Sequence, residues 1–371
     1  MSTLKVNSIQ HSNGTDALTI DSTGHATFNK TFIPANPLTN RNLIINGDMR
    51  IAQRGTSVSG ITSNNYYTVD RFDIGGSSFG TVTQSQDTDV PTGQGFANSI
   101  KFLWTTASAS LSTNAFLQMH QSIEGQMLQH LKKGTANAET VTLSFWVKSN
   151  KTGTYIVNLW DIDNTRLIAK AYTINAVDTW EKKTITFAGD TVASFDNDNG
   201  RSLDLTFGLC AGTDNSSGTL QTTWGSAVAI NRYVGQVNLA DAVNNYINFT
   251  GVQLEVGDTA TPFEHRPYDM ELARCQRYYQ KFNNILSFPL SRYNNTTGTA
   301  FNSIPYIVPM RANPTVSQSG SWESTTGKAG TPTSLTGYNF GIRVGAGSVG
   351  ANGVLYLETL SDGEIQANAE L

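Results

Sequence analysis

Residues 140–149 constrain the fold more tightly than any other stretch of the chain. Val141, Leu143, Phe145 and Val147 fall on one side of an extended backbone, and Thr142, Ser144 and Lys148 fall on the other. Side chains alternate across a strand, so an apolar period of two calls for a β-strand with one buried face. Runs of the same kind recur at 99–104, 153–162, 166–174, 180–189, 203–211 and 245–257, with turn residues between them. Many short strands at such spacing predict an all-β protein whose body is a two-layer sandwich, a jelly roll. Trp146 departs from the alternation, because it sets a large ring on the polar side of its strand.

The ends of the chain differ from this body. Leu4 and Val6 alternate with polar neighbours, as do Leu18 and Ile20; the turn signal Asp21-Ser22-Thr23-Gly24 follows, and Ala26 and Phe28 resume the pattern. This predicts a β-hairpin within an N-terminal segment and linker, 1–40, whose end is marked by Pro34 and Pro37. A lone hairpin has nothing to cover its apolar face. Leu4, Val6, Leu18, Ile20, Ala26 and Phe28 are therefore expected to meet other copies of the same chain, and three hairpins about an axis would form a short β-prism in a homotrimer. The jelly roll is expected at 41–266. Within it, 122–134 reads equally as a helix, with Ile123, Met127, Leu128 and Leu131 on one face, or as a loop flanked by strands. Pro262 and Pro267 precede a connecting helix expected at 267–282 with Asp269 as its cap. Residues 283–371, rich in Gly, Ser and Thr, predict a small C-terminal β domain with strands near 304–308, 315–317, 340–344 and 354–357.

Charge narrows the function. The net charge is −4 and charged residues make up only 15% of the chain. A duplex-binding protein needs a basic footprint to displace counterions, so nucleic acid is not an expected partner. No stretch is apolar for long enough to cross a bilayer, and residues 1–10 lack the apolar core of a secretory signal. Synthesis in a cytoplasm without membrane insertion is the expectation. Cys210 and Cys275 stand far apart in unlike contexts and are expected to be small buried apolar residues.

Catalytic and metal patterns fail on spacing or context. A calcium loop begun at Asp196 would place Gly200 at position 5 and Phe207 at position 12, where Gly at 6 and Glu at 12 are needed; a polar hairpin turn is the reading of 196–200. No two of His11, His25, His120, His130 and His265 stand four apart, and none has a neighbouring Cys, so no zinc pattern exists. The glycines of 345–350 fall outside a strand-to-helix context, and no nucleophile elbow occurs. A glycan depolymerase would need two carboxylates across a cleft. Asp161 and Asp163 can share a face, but a chain with 29 acidic residues offers many such pairs. The expectation is no enzyme, no cofactor and no metal.

Four segments carry a family resemblance: "RNLIINGDMRIAQRG" at 41–55, "DRF" at 70–72, "TLSFWVKS" at 142–149 and "GVQLEVGDTATPFEHRPYDMELARCQRYY" at 251–279. Together they resemble bacteriophage tail-fibre and related virion fibre proteins, and the opening residues are similar to the N-terminal segments of such fibres. The resemblance covers most of 1–282. It implies a virion protein made in a host cytoplasm, exposed on the particle exterior and docked on other tail or capsid proteins through its N-terminus. The central sandwich also looks like the jelly-roll carbohydrate-binding modules found beside glycan-degrading enzymes.

The function expected from all this is a structural tail fibre that attaches to host-surface polysaccharide. The alternatives are a capsid or tail decoration or scaffold protein without receptor contact, and a glycan depolymerase. Sugar rings stack on aromatic faces while amides and acids read their hydroxyls. Trp146 qualifies through its broken alternation, Trp160 because it ends a strand beside Asp161 and Asn164, and Tyr66 and Tyr67 because they share a loop with Asn64 and Asn65.

Overall fold

A computed structural model describes residues 8–10, 16–28, 40–283, 288–290, 298–323, 331–332, 334–338, 341–349, 355–360 and 362–371. The chain forms two compact units, Met1–Arg41 and Asn42–Leu371.

In the first unit, β1 (Ser8–Gln10), β2 (Asp16–Ile20) and β3 (Ala26–Phe28) make an antiparallel sheet in that order. The expected hairpin is β2–β3, with Leu18 opposite Phe28 and Ile20 opposite Ala26. Its turn is set by Asp21, whose Oδ1 accepts from the Thr23 and His25 backbone amides, both at 2.9 Å. The hydroxyl and amides of Thr23 and His25 hold the Asp21 carboxyl below its usual range. Leu18 and Ile20 are half-buried. Leu4 and Val6 lie outside the described residues.

The second unit opens with a buried, strandless segment around Ile44 and Ile45 and then enters the sandwich. Its strands are β4 (Ser57–Ile61), β5 (Asp73–Ser77), β6 (Thr81–Asp87), β7 (Ser99–Thr106), β8 (Phe116–Glu124), β9 (Val141–Ser149), β10 (Gly153–Asp161), β11 (Arg166–Ile174), β12 (Glu181–Phe187), β13 (Arg201–Ala211), β14 (Gly225–Ser226) and β15 (Tyr246–Val256). One six-stranded sheet runs β14-β11-β10-β13-β8-β5 and the other β12-β9-β15-β7-β6-β4. The inward sets meet between them. Phe145 of β9 packs edge-on against Tyr172 of β11 and Phe207 of β13, with ring centroids 5.1 and 5.0 Å apart, and Phe249 of β15 closes the group. Truncating a ring fully buried in such a cluster costs about 3–5 kcal/mol.

Residues 122–134 settle as a strand end followed by two 3-10 turns, Gly125–Met127 and Gln129–Leu131. The α-helical reading fails there because β8 runs on to Glu124 in pairing with β13. The "DNDNG" stretch is a polar turn in which Asp198 Oδ1 accepts from the Gly200 amide at 2.8 Å. It does not join two paired strands, since β12 and β13 lie in different sheets. Both cysteines are buried, and burial pushes the Cys210 thiol up to about 12.

The connecting helix is shorter than expected, Tyr268–Gln276, with Pro267 in the capping position and Asp269 inside the first turn. Helix stops there because Tyr279–Asn283 is claimed by a strand, β16, in the C-terminal β region. Its other strands are β17 (Phe288–Leu290), β18 (Gly298–Pro305), β19 (Thr315–Ser319), β20 (Ser334–Tyr338), β21 (Gly341–Val349), β22 (Leu355–Leu357) and β23 (Glu364–Asn368). They form the sheets β16-β23-β19, β17-β22 and β18-β21-β20 over a separate core of Ile304, Trp322, Ile342, Val344 and Ile365.

An ion network fastens this region to the sandwich. Arg71, fully buried, lies 3.5 Å over the Tyr278 ring, donates to the Ser122 carbonyl at 2.6 Å and pairs with Glu370. Arg54 stacks on Tyr279 at 3.7 Å and reaches Glu370 at 3.3 Å. Arg277 makes a two-pronged bond to Glu124, at 2.9 and 2.8 Å. Planar guanidinium suits both jobs, stacking and forked donation.

Candidate functional site

The outer face of the second sheet carries a cleft built around Trp146. On β9, Trp146 stands opposite Lys182 of β12 and Thr250 of β15. The pairing of β15 with β9 slips between Thr250 and Gln253. Gly251 absorbs the slip with a left-handed backbone, φ 63°. The Phe96 ring rests directly on it: a Cβ at position 251 would lie 2.6 Å from Phe96 Cζ. A bulge of this kind bends the strand and re-aims what packs on it, and glycine permits both the dihedral and the close approach.

Phe96 anchors one wall. Its ring meets Phe263 at 5.1 Å and His265 at 5.4 Å, and those two meet each other at 4.9 Å. Edge-on and tilted arrangements at these separations are favourable for rings. The loop after β15 that carries Phe263 and His265 is held from beneath. Buried Glu255 accepts from the Thr261 amide at 2.9 Å, from Thr261 Oγ1 at 2.7 Å and from Gln253 Nε2 at 2.8 Å. Gln253 Oε1 in turn accepts from the Glu264 amide at 2.8 Å. These bonds shape the loop without a ligand.

The resulting cleft has a volume of about 380 Å³. Trp146, Ser144 and Gly251 form its floor; Gln94, Phe96, Ala260, Pro262, Phe263 and His265 form its walls, with Lys182 at the remaining edge. A concave site of this size, with aromatic rings and polar groups side by side, suits a small polar organic ligand. Its half-buried rings offer flat apolar faces, and the Gln94 amide and Ser144 hydroxyl lie beside them.

Of the six residues that the sequence put forward, only Trp146 lines this cleft. Trp160 faces outward from the opposite sheet, and the Arg232 guanidinium covers its ring at 4.2 Å. Asp161 is buried and pairs with Lys133 at 2.6 Å. Asn164 donates its side-chain amide to Asp161 Oδ2 at 3.0 Å, closing the turn between β10 and β11. Tyr66 is buried near the ion network with Arg54 5.3 Å from its ring centre, and burial pushes its phenol well above the usual value. Tyr67 donates its hydroxyl to the Ser63 carbonyl at 2.9 Å. Phe96, Gly251, Phe263 and His265 were not singled out from the sequence as binding residues. The available signal was "TPFEH", a phenylalanine and a histidine flanking an acid just after a strand. Among the described residues, no group of three His, Cys, Asp or Glu side chains could hold a metal ion, and no helix is long and apolar enough to cross a membrane.

No protein-family model matches the sequence, and no curated protein matches it. Among solved structures the chain is similar to the enzymatically active domain of bacteriophage CBA120 tailspike protein 4, at 14% identity and a TM-score of 0.32 over 58% of this chain. It covers 21% of that tailspike chain. It is also similar to TmCBM61 in complex with β-1,4-galactotriose, at 8% identity and a TM-score of 0.30 over 59% of this chain and 100% of that one. A third likeness is to the family 11 carbohydrate-binding module of Clostridium thermocellum in complex with a β-1,3-1,4-mixed-linked tetrasaccharide, at 9% identity and a TM-score of 0.28 over 57% of this chain and 98% of that one.

Proposed function

We propose that this protein is a non-enzymatic attachment fibre of a bacteriophage particle, and that its sandwich binds a host-surface glycan in the cleft at Trp146. The observation that carries the reading is the cleft itself: a tryptophan floor and a phenylalanine wall, preformed on paired strands and a hydrogen-bonded loop. Its lining contains no carboxylate to serve as a catalytic acid. The virion assignment is supported by the sequence resemblance at 41–55 and 251–279, and trimerisation by a three-stranded N-terminal sheet with too few residues for a core of its own. Three weak sugar sites on one particle appendage would gain avidity through effective concentration. The N-terminal unit would dock on another tail or capsid protein.

The test is a glycan array with host-surface polysaccharides, using the full chain and Trp146→Ala. The variant is expected to lose at least about tenfold in affinity, in line with the roughly 2 kcal/mol that anchor tryptophans carry. Its melting temperature should stay close to wild type, since the ring lies outside the core. Equal binding by both proteins would remove the site assignment, and shortened polysaccharide after incubation would show an enzyme.

A further inference from the structure

The cleft carries a charge signature in addition to its rings, and its meaning rests on the glycan reading above. The second sheet holds four lysines, and three of them face a carboxylate: Lys101 with Asp87 at 3.2 Å, Lys148 with Asp89 at 2.7 Å and Lys183 with Glu181 at 2.5 Å. Lys182, one position from that last pair, points to the other face and borders the cleft. Among the described residues it has no ion pair. Two nearby acids are held away from the cleft, and a third, Asp89, is held by Lys148 and the Trp180 indole N–H. Glu255 is buried under Gln253 and Thr261, and Glu264 accepts from the Asn42 amide at 3.0 Å and pairs with Arg266 at 3.1 Å. The site thus presents one ammonium group to whatever lies on Trp146, with no acid in the lining to neutralise it.

We propose that the cleft selects an acidic glycan, a sugar bearing a carboxylate or phosphate group, with that anion beside Lys182 and an uncharged ring face on Trp146. A charge-assisted hydrogen bond at the cleft edge adds to the stacking, and because Lys182 is exposed its contribution falls with added salt.

Calorimetric titration of the full chain with three oligosaccharides of equal length tests this: neutral galactose, galacturonate and a phosphorylated mannose oligomer. At least one acidic oligomer should bind roughly fivefold more tightly than the neutral one at low salt, with the gap shrinking at high salt. Lys182→Gln should bring that ratio down to about one, whereas Lys170→Gln, on the other sheet, should preserve it. Equal affinity for neutral and acidic oligomers in the wild type overturns the charge inference and leaves glycan binding standing. An acid preference that survives Lys182→Gln overturns the assignment to this residue. Absence of binding to all three overturns both readings.

Discussion

Trp146 and Trp160 occupy the same kind of position, one place off the inward alternation of a central strand, and their surroundings treat them differently. Arg232 closes over Trp160, while Trp146 keeps an open face because the bulge at Gly251 holds Phe96 to one side. That glycine is therefore the residue on which the cleft's shape depends. Alanine there meets both a left-handed backbone and the Phe96 ring, so Gly251→Ala is expected to destabilise the protein by about 1–3 kcal/mol. It should also weaken glycan binding as the wall shifts. Urea melts and titration on one preparation check the pair of effects; wild-type stability with intact binding would show that the bulge does not shape the site.

Elements explain why the fibre-like segments look as they do. Two of them, 142–149 and 251–279, supply Ser144, Trp146, Gly251, Phe263 and His265 to the cleft. Polar side chains of 41–55, 70–72 and 266–279, by contrast, bind one another at the junction with the helix Tyr268–Gln276 and the C-terminal β region. Asn46 donates to the Ile51 and Asp70 carbonyls, both at 2.9 Å. Arg266 pairs with Glu271 at 3.2 Å, and Arg54, Arg71 and Glu370 join the sandwich to the C-terminal β region. Removing one member of a buried ion pair leaves its partner uncompensated, which costs about 3–5 kcal/mol. The junction should also titrate. Burial pushes the Asp70 carboxyl up to about 6, against Arg54 and Gln53, which pull it down, and with Glu370 adding to the rise. A carboxyl whose folded pKa is raised holds its proton more tightly when folded, so its contribution is complete below about pH 4 and is lost as pH rises through 6. Relative to Asp70→Asn, the wild type should lose up to about 3 kcal/mol between about pH 4 and pH 7. Urea midpoints at the two ends measure it, and a constant gap between the proteins would refute the shift.

At the scale of the molecule, the N-terminal unit raises the question of partners. Leu18 and Ile20 share one face of a three-stranded sheet and are only half-buried within one chain. In the proposed trimer, placing charge on that face should separate the copies. Sedimentation of the wild type is expected to give the mass of three chains, and Leu18→Asp combined with Ile20→Asp the mass of one. The sandwich should melt as before, because its core lies in a separate compact unit. A wild type that sediments as a stable monomer at micromolar concentration would exclude the trimer.

Local pattern was enough to establish the β class, the strands at 140–149, 153–162, 166–174 and 245–257, and the N-terminal hairpin, because period-two burial is written into neighbouring residues. It also marked Trp146 as a ring on the wrong face. What local pattern could not carry was any property set by residues distant in sequence. The helix Tyr268–Gln276 ends early because β16 pairs with β23, far along the chain. Asp161 and Tyr66 went to buried partners, Lys133 and the Arg54 network, that no spacing reveals. The cleft itself joins residues near 95, 146, 182 and 251–265. Only the pairing of β12, β9, β15 and β7, with the slip at Gly251, brings those four stretches together on one sheet.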